Sequence, residues 1–111
     1  MTAKSGIVVV ARLTAKPGEE DAAAQTVKEM VEWVSANEPG TLAYSAHRSK
    51  KEPGQILFYE IYRDDDARQA HRGSDAFKNF GRKIVNHIDT SATTIEEFEL
   101  IAGVERGDAG S

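Results

Sequence analysis

Hydrophobic residues recur along the chain with two different periods, and the changes between these periods divide it into strands and helices. Residues 7–15 (IVVVARLTA) are β-branched and apolar, which predicts a well-buried strand. Apolar side chains at helical spacing predict an amphipathic helix over residues 20–37. This helix begins with acidic residues, which its dipole favours, and ends before Pro39 and Gly40.

The second half of the chain begins with a predicted hairpin and continues into two helices. Residues 41–49 and 55–63 have strand-like patterns and are joined by a loop that contains a Pro-Gly pair. Asp64–Asp66 open a short helix that ends at Gly73, and Ser74 is a good N-cap for the next helix. The apolar face of that helix consists of Phe77, Phe80, Ile84, Val85 and Ile88. The pattern of residues 93–102 predicts a last strand whose solvent-facing side is acidic.

The resulting order, β-α-β-β-α-β, is typical of the ferredoxin-like α+β fold, a four-stranded antiparallel sheet with helices on one face. We expect a single domain over residues 1–111, with its core in residues 6–102 and a polar tail in 103–111. Because the strand over residues 55–63 is apolar on both faces, the uncovered face of the sheet needs a second layer. The sequence therefore predicts a homodimer that forms through the sheet faces.

Composition and charge exclude several classes of protein. The net charge of -4 and the pI near 5.3 argue against a nucleic-acid-binding surface, which is normally basic. The chain has no cysteine, and its longest apolar run, residues 7–11, is too short to span a bilayer. The first six residues lack the pattern of a signal peptide, so the expected location is the cytoplasm.

Three segments carry a resemblance to a known family: AKPGEED, EPGTLAYSAHRS and YEIYRDDDARQAHRGSDAFKNF. Through them, residues 7 to about 102 resemble the antibiotic biosynthesis monooxygenase domain of the dimeric α/β-barrel superfamily. The resemblance implies a small dimer that oxygenates quinol- or anthrone-like aromatics with molecular oxygen and without flavin, haem or metal. Other relatives isomerise keto compounds, have no assigned activity or degrade haem. The haem-degrading relatives need an asparagine, a tryptophan and an axial histidine where this chain has Ala11, His71 and Gly81, so haem degradation is not expected.

His71 is the main catalytic candidate, and two interpretations of it stay open. It either packs beneath the bend at Gly73 and hydrogen bonds a backbone carbonyl, or it acts as a base in a ligand site. Its helical neighbours Ala67 and Ala70 are small, which leaves room for a ligand between helix and sheet. An imidazole titrates near neutral pH and can therefore take a phenolic or α-keto proton.

Several other residues are candidates for substrate binding, each with a structural alternative. Tyr44 and Tyr59 either donate to a substrate oxygen or lie at the dimer interface. Arg12 either binds a substrate anion or forms an ion pair, and Glu60 is expected to pair with Arg12 or Arg48. The remaining candidates are aromatic residues that form either the core or the walls of an apolar pocket: Trp33, Tyr62, Phe77 and Phe80.

No metal site is predicted. Consecutive acids such as Asp64–Asp66 point in different directions at a helix start, where N-capping and the helix dipole explain them better. The three histidines, His47, His71 and His87, lie on separate elements without a ligand motif. Two functions remain: a cofactor-independent monooxygenase, and a non-oxidative protein that isomerises a keto compound or only binds a small molecule.

Overall fold

The computed structural model describes residues 6–106, which form an antiparallel sheet with helices on one of its faces. The elements are β1 (Ile7–Thr14), α1 (Glu20–Asn37), β2 (Thr41–Arg48), β3 (Gln55–Tyr62), α2 (Asp65–Gly73), α3 (Asp75–Ile84) and β4 (Thr94–Phe98). A short 3₁₀ helix, Thr90–Ala92, precedes β4. The strands lie in the order β2-β3-β1-β4, and each is antiparallel to its neighbours. The predicted ferredoxin-like arrangement is confirmed.

Helices α2 and α3 begin where the sequence places capping groups. The Asp64 carboxylate accepts a hydrogen bond of 2.9 Å from the Ala67 N–H at the start of α2. The Ser74 hydroxyl does the same for the Phe77 N–H at the start of α3, at 3.1 Å. These bonds satisfy amide donors that have no partner inside the helix. The sharp break between α2 and α3 turns the chain so that both helices border the same face of the sheet.

The two faces of the sheet differ in what covers them. The inner face, toward the helices, carries buried residues at alternate positions of β1 and β3: Val9, Ala11, Leu13, Ile56, Phe58, Glu60 and Tyr62. The outer face has no covering layer among residues 6–106 and carries half-buried or exposed residues, including Val8, Val10, Leu57, Tyr59 and Ile61. Residues 55–63 are thus apolar on both faces, as predicted. The strand β1, which was predicted to be well buried, has buried residues on its inner face only.

The last predicted strand is shorter than expected because its partner strand ends. The last strand covers Thr94–Phe98 and not 93–102, since Phe98 pairs with Val8 and β1 begins one residue earlier, at Ile7. The apolar stripe of α3 continues past the helix end, where Ile88 forms a bridge to Ala15. Residues 101–106 are exposed and have no regular secondary structure, and the rest of the predicted tail, 107–111, lies outside the described residues.

The predicted ion pair between Glu60 and Arg12 or Arg48 is wrong. Glu60 lies on the inner face and has Val9 and Tyr44 as its cross-strand neighbours. Arg12 points to the outer face and is exposed, and Arg48 lies 3.8 Å from the carboxylate of Asp21. Side chains of a strand alternate between its two faces, and in the observed register Arg12 and Glu60 point to opposite faces of the sheet, so they cannot pair.

Candidate functional site

A cavity of about 640 Å³ lies between the inner face of the sheet and helices α2 and α3. Its floor and roof are apolar and include Val9, Ala11, Leu13, Phe58, Phe80 and Ile84. Polar groups gather at one end, where β2, β3 and α2 meet: Tyr44, Glu60, Tyr62 and His71, and two arginines of α2, Arg68 and Arg72, also line the cavity. This volume and this combination of apolar walls with few polar groups are typical of small-molecule sites.

His71 is held at this end by a carboxylate. Its side chain is 2% exposed, and its Nδ1 lies 2.9 and 3.1 Å from the two carboxylate oxygens of Glu38. Glu38 follows α1 directly and also accepts a 2.8 Å hydrogen bond from the Thr41 hydroxyl. Because a carboxylate accepts from Nδ1–H, the neutral imidazole keeps its lone pair on Nε2. The expected hydrogen bond from His71 to a backbone carbonyl is not what the structure has.

Aromatic rings surround the imidazole. The ring centroids of Tyr44, Tyr62 and Phe77 lie 5.1, 5.5 and 4.9 Å from that of His71. The small helical neighbours Ala67 and Ala70 therefore do not leave the space beside the His71 ring open, since bulky neighbours come from β2, β3 and α3. Nε2 exposes less than 1 Å² and has no hydrogen-bond partner within the described part of the chain. A ligand atom therefore reaches Nε2 only if these rings move.

Two buried polar atoms lack partners in residues 6–106: Nε2 of His71 and the hydroxyl oxygen of Thr93. Both residues line the cavity. Thr93 lies near the level of Leu13, whereas the polar end lies at the level of Val9, which is four residues away along β1. At about 3.3 Å per residue, these levels are roughly 13 Å apart. Since buried polar groups normally have partners, the two atoms are candidates for hydrogen bonds to a ligand.

The other polar groups at this end favour their neutral forms. The Tyr62 hydroxyl donates a 2.5 Å hydrogen bond to Oε1 of Glu60, whose residue is 8% exposed. Burial raises the pKa of the Glu60 carboxyl, and the hydrogen bond and nearby positive charge offset only part of this effect. Burial also raises the pKa values of Tyr44 and Tyr62 above the usual phenol range, so both hydroxyls stay protonated donors.

The cavity brings together five of the eight site residues predicted from the sequence: Tyr44, Tyr62, His71, Phe77 and Phe80. It does not include the other three. Trp33 lines a separate groove between α1 and α3, and Arg12 and Tyr59 lie on the outer face of the sheet.

Glu38 and Thr93 were not predicted from the sequence, and Glu60 was predicted to form an ion pair. One signal was present for Glu38, an acid at the C-terminal end of α1, where the helix dipole disfavours negative charge. The predicted absence of a metal stays a prediction. Within residues 6–106, no cluster of three or more histidine, aspartate or glutamate side chains is arranged to hold a metal ion. In the same part of the chain, no helix has the length and hydrophobicity that crossing a bilayer requires.

Gly81 offers a direct test of the cavity as a binding site. It lines the cavity on the apolar stripe of α3, and a Cβ added there has no heavy atom within 4 Å. We expect Gly81→Ala to raise the free energy of unfolding by roughly 0.5–1 kcal/mol through helix propensity. Gly81→Leu is expected to keep a similar melting temperature but to weaken ligand binding at least tenfold, as measured by calorimetry. Equal ligand affinity in the two variants would place the binding site elsewhere.

Comparisons with known proteins agree with this architecture. Residues 6–83 match the sequence model of the antibiotic biosynthesis monooxygenase family. A Caulobacter crescentus structure, named as a candidate antibiotic biosynthesis monooxygenase, is 32% identical with a TM-score of 0.82, and the match covers 91% of this chain and 94% of that one. A second structure, named as an antibiotic biosynthesis monooxygenase, is 26% identical with a TM-score of 0.78 and covers 86% and 99%.

A more distant structure, from Mycobacterium tuberculosis, is 22% identical with a TM-score of 0.79, covers 91% and 100% of the two chains, and shows the shared fold alone. No curated protein matches the sequence.

Proposed function

The chain belongs to the antibiotic biosynthesis monooxygenase family, and from this premise we propose that it oxidises a quinol- or anthrone-like aromatic molecule with molecular oxygen. One observation carries the proposal. A buried histidine on the wall of an apolar cavity has one ring nitrogen fixed by a carboxylate and the other without a partner. This arrangement suits a base that acts on a bound organic molecule.

His71 is the catalytic residue in this proposal. Its Nε2 takes a proton from an acidic C–H or O–H of the substrate, and Glu38 stabilises the imidazolium that forms. Glu38 does not touch the substrate and acts as a positioning residue, because its hydrogen bond to Nδ1 fixes both the tautomer and the ring orientation. The phenols Tyr44 and Tyr62 cannot replace His71 as bases, since burial keeps them protonated.

The substrate anion then supplies the electrons that reduce oxygen. When a ring CH₂ group becomes a carbonyl, one oxygen atom enters the substrate and the other leaves as water with the two hydrogens. The overall reaction balances without a flavin, haem or metal, so we propose no cofactor beyond oxygen as co-substrate. The apolar walls around Phe58 and Phe80 support this chemistry because they keep water from the electron-rich anion.

The dimensions of the cavity favour a substrate with fused rings. A volume of about 640 Å³ with mostly apolar walls accommodates a planar aromatic molecule of several rings. His71 and Thr93 each carry an unpartnered atom and lie at levels of the sheet roughly 13 Å apart, which supports a ligand with polar atoms toward both ends.

We further propose that the protein is a homodimer whose outer sheet faces pack together. The apolar side chains on that face, including Val10, Tyr59 and Ile61, are half-buried or exposed in the single chain and have no covering layer among residues 6–106. Sedimentation analysis of Val10→Asp tests the interface. We expect the wild type to sediment as a dimer and this variant to shift toward monomer. A wild type that sediments as a monomer would contradict the proposal.

Oxygen uptake tests the proposed reaction. Chelator-treated protein is mixed in an electrode chamber with anthrones, naphthoquinols and catechols, and binding of each compound is measured separately by calorimetry. We expect uptake with at least one compound that binds, and uptake that persists without metal.

Binding without any uptake would favour the second candidate function, a non-oxidative keto–enol isomerase or a binding protein. The acid–base residues of the cavity support an isomerase, because keto–enol conversion requires proton transfer alone.

A further inference from the structure

Glu60 is a buried carboxyl group on the wall of the cavity, and the role of His71 does not use it. It lies on the inner face at the polar end of the cavity, and it has no ion-pair partner among residues 6–106. Its one hydrogen bond comes from the Tyr62 hydroxyl, which leaves the other carboxyl oxygen, Oε2, without a donor.

An ionised Glu60 conflicts with the reaction proposed for this cavity. Removal of a proton from the substrate creates an anion beside His71, and a carboxylate on the same wall would repel that anion. A protonated carboxyl has the opposite effect, because its O–H donates a hydrogen bond to the developing negative charge. Hydrogen-bond donors placed in this way, in a site that excludes water, account for large parts of many enzymatic rate enhancements.

We infer that Glu60, in its protonated form, donates a hydrogen bond to a carbonyl oxygen of the substrate while His71 removes a proton from a carbon conjugated with that carbonyl. This inference rests on the proposed function and deepens it. It assigns the substrate to the enolisable aromatic ketones, which enter the cavity as the keto tautomer. A catechol or another substrate without a carbonyl does not use Glu60 in this way.

The step balances without a redox change. The C–H bond breaks, its proton moves to Nε2 of His71, and its electron pair becomes the new carbon–carbon double bond. The carbonyl π electrons move onto the oxygen, where the O–H of Glu60 stabilises the charge. Oxygen enters only afterwards, when the enolate is oxidised.

The surroundings of Glu60 support the protonated form. Burial raises the pKa of the carboxyl, and it is the largest influence on the group. Among the charged neighbours, Arg68 is itself paired with Glu97 at 2.6 Å, which weakens its ability to stabilise an ionised Glu60. The titratable and charged groups that act on Glu60 come from β2, β3, α2 and the end of α1: Tyr44, Tyr62, Arg68, His71 and Glu38.

Deuterium exchange into anthrone under argon tests the inference, because it follows proton removal without oxygen. Wild-type protein in D₂O is compared by mass spectrometry with Glu60→Leu, Glu60→Gln and the control Glu29→Gln, which changes an exposed acid of α1 that pairs with Lys83. We expect catalysed exchange to fall roughly 100-fold in Glu60→Leu, as when an oxyanion donor is removed. Glu60→Gln keeps a neutral N–H donor and is expected to lose about tenfold or less, mainly in kcat.

The outcomes separate the alternatives. If glutamine and leucine at position 60 are equally damaging, Glu60 is an ionised base and the inference is wrong. It is also wrong if Glu60→Leu exchanges at the wild-type rate or if the wild type does not catalyse exchange. Catalysed exchange that is lost in Glu60→Leu, without oxygen uptake in air, supports the inference and overturns the monooxygenase proposal. Oxygen uptake that is unchanged in Glu60→Leu supports the monooxygenase proposal and contradicts the inference about Glu60.

Stability measurements against pH give a second, independent readout. Because the pKa of Glu60 is raised in the folded protein above its ordinary value of about 4.5, the folded state binds more protons than the unfolded state above that pH. The contribution of Glu60 to the free energy of unfolding is therefore present at low pH and is lost as pH rises through the raised pKa. Urea unfolding should show this loss in the wild type and not in Glu60→Gln. Parallel pH dependences in the two proteins would contradict a protonated Glu60.

Discussion

Replacing His71 with alanine is expected to lower kcat for a confirmed substrate by roughly 10²- to 10⁴-fold, the usual contribution of a positioned general base. The substitution removes an imidazole that a carboxylate holds in a fixed orientation on the cavity wall, and with it the lone pair of Nε2. It also leaves Glu38, whose side chain is 10% exposed, without its partner. Loss of one partner of a buried pair costs up to about 3–5 kcal/mol, so the alanine variant is expected to melt earlier.

A second variant separates catalysis from stability. His71→Asn keeps an N–H donor near the position of Nδ1 and removes Nε2, so it should lose as much activity as the alanine variant while melting closer to the wild type. The matched control is His87→Ala. His87 forms a similar bond to Glu19, at 2.7 Å, but it does not line the cavity. Turnover within tenfold of the wild type in both His71 variants, measured on folded protein, would remove His71 from the mechanism.

Replacing Glu38 with glutamine is expected to lower kcat by roughly 10- to 10³-fold and to leave KM nearly unchanged. The glutamine oxygen can still accept the hydrogen bond from Nδ1–H of His71, but it carries no charge to stabilise the imidazolium. Since Glu38 acts through His71, its effect belongs to the rate of proton removal and not to substrate binding. Steady-state kinetics over a range of pH check this, because loss of the carboxylate should also move the pH profile of kcat.

A double-mutant comparison identifies Glu38 as a positioning residue. In the His71→Asn background, Glu38→Gln should have almost no further effect on kcat, because residues that act as a unit are not additive. Glu19→Gln, which neutralises the carboxylate beside His87, is the control and should leave kcat unchanged. A full effect of Glu38→Gln in both backgrounds would show that Glu38 acts independently of His71.

The site depends on how α2 and α3 meet the sheet. The break at Ser74 directs α3 away from α2, and both helices border a space above Ala11 and Phe58 that their own side chains do not fill. Small residues on the floor and roof, Ala11 and Gly81, contribute to this opening. A chain of 111 residues thus keeps a ligand-sized cavity within a single layer of helices.

Local patterns in the sequence were sufficient to predict the helices and strands and part of the candidate site. Periods of 2 and 3.6 residues gave the strands and helices, since each period follows from backbone geometry. The bounds of α1 agreed because Pro39 and Gly40 stop a helix through their own backbone preferences. They failed for β4, whose length depends on where β1 begins. The aromatic residues of α3 and the broken helix around His71 were likewise visible from spacing alone.

The sequence by itself thus determined the order of elements, the ferredoxin-like sheet and the position of His71 near the end of α2. Only the tertiary structure decided what His71 contacts, because Glu38 is 33 residues away and meets it through the packing of the α1–β2 corner against α2. It also placed Glu60 on the cavity wall and not in the predicted ion pair with Arg12 or Arg48, and it placed Arg12 and Tyr59 on the other face of the sheet. Long-range pairing and strand register set these contacts, and neither leaves a local signal in the sequence.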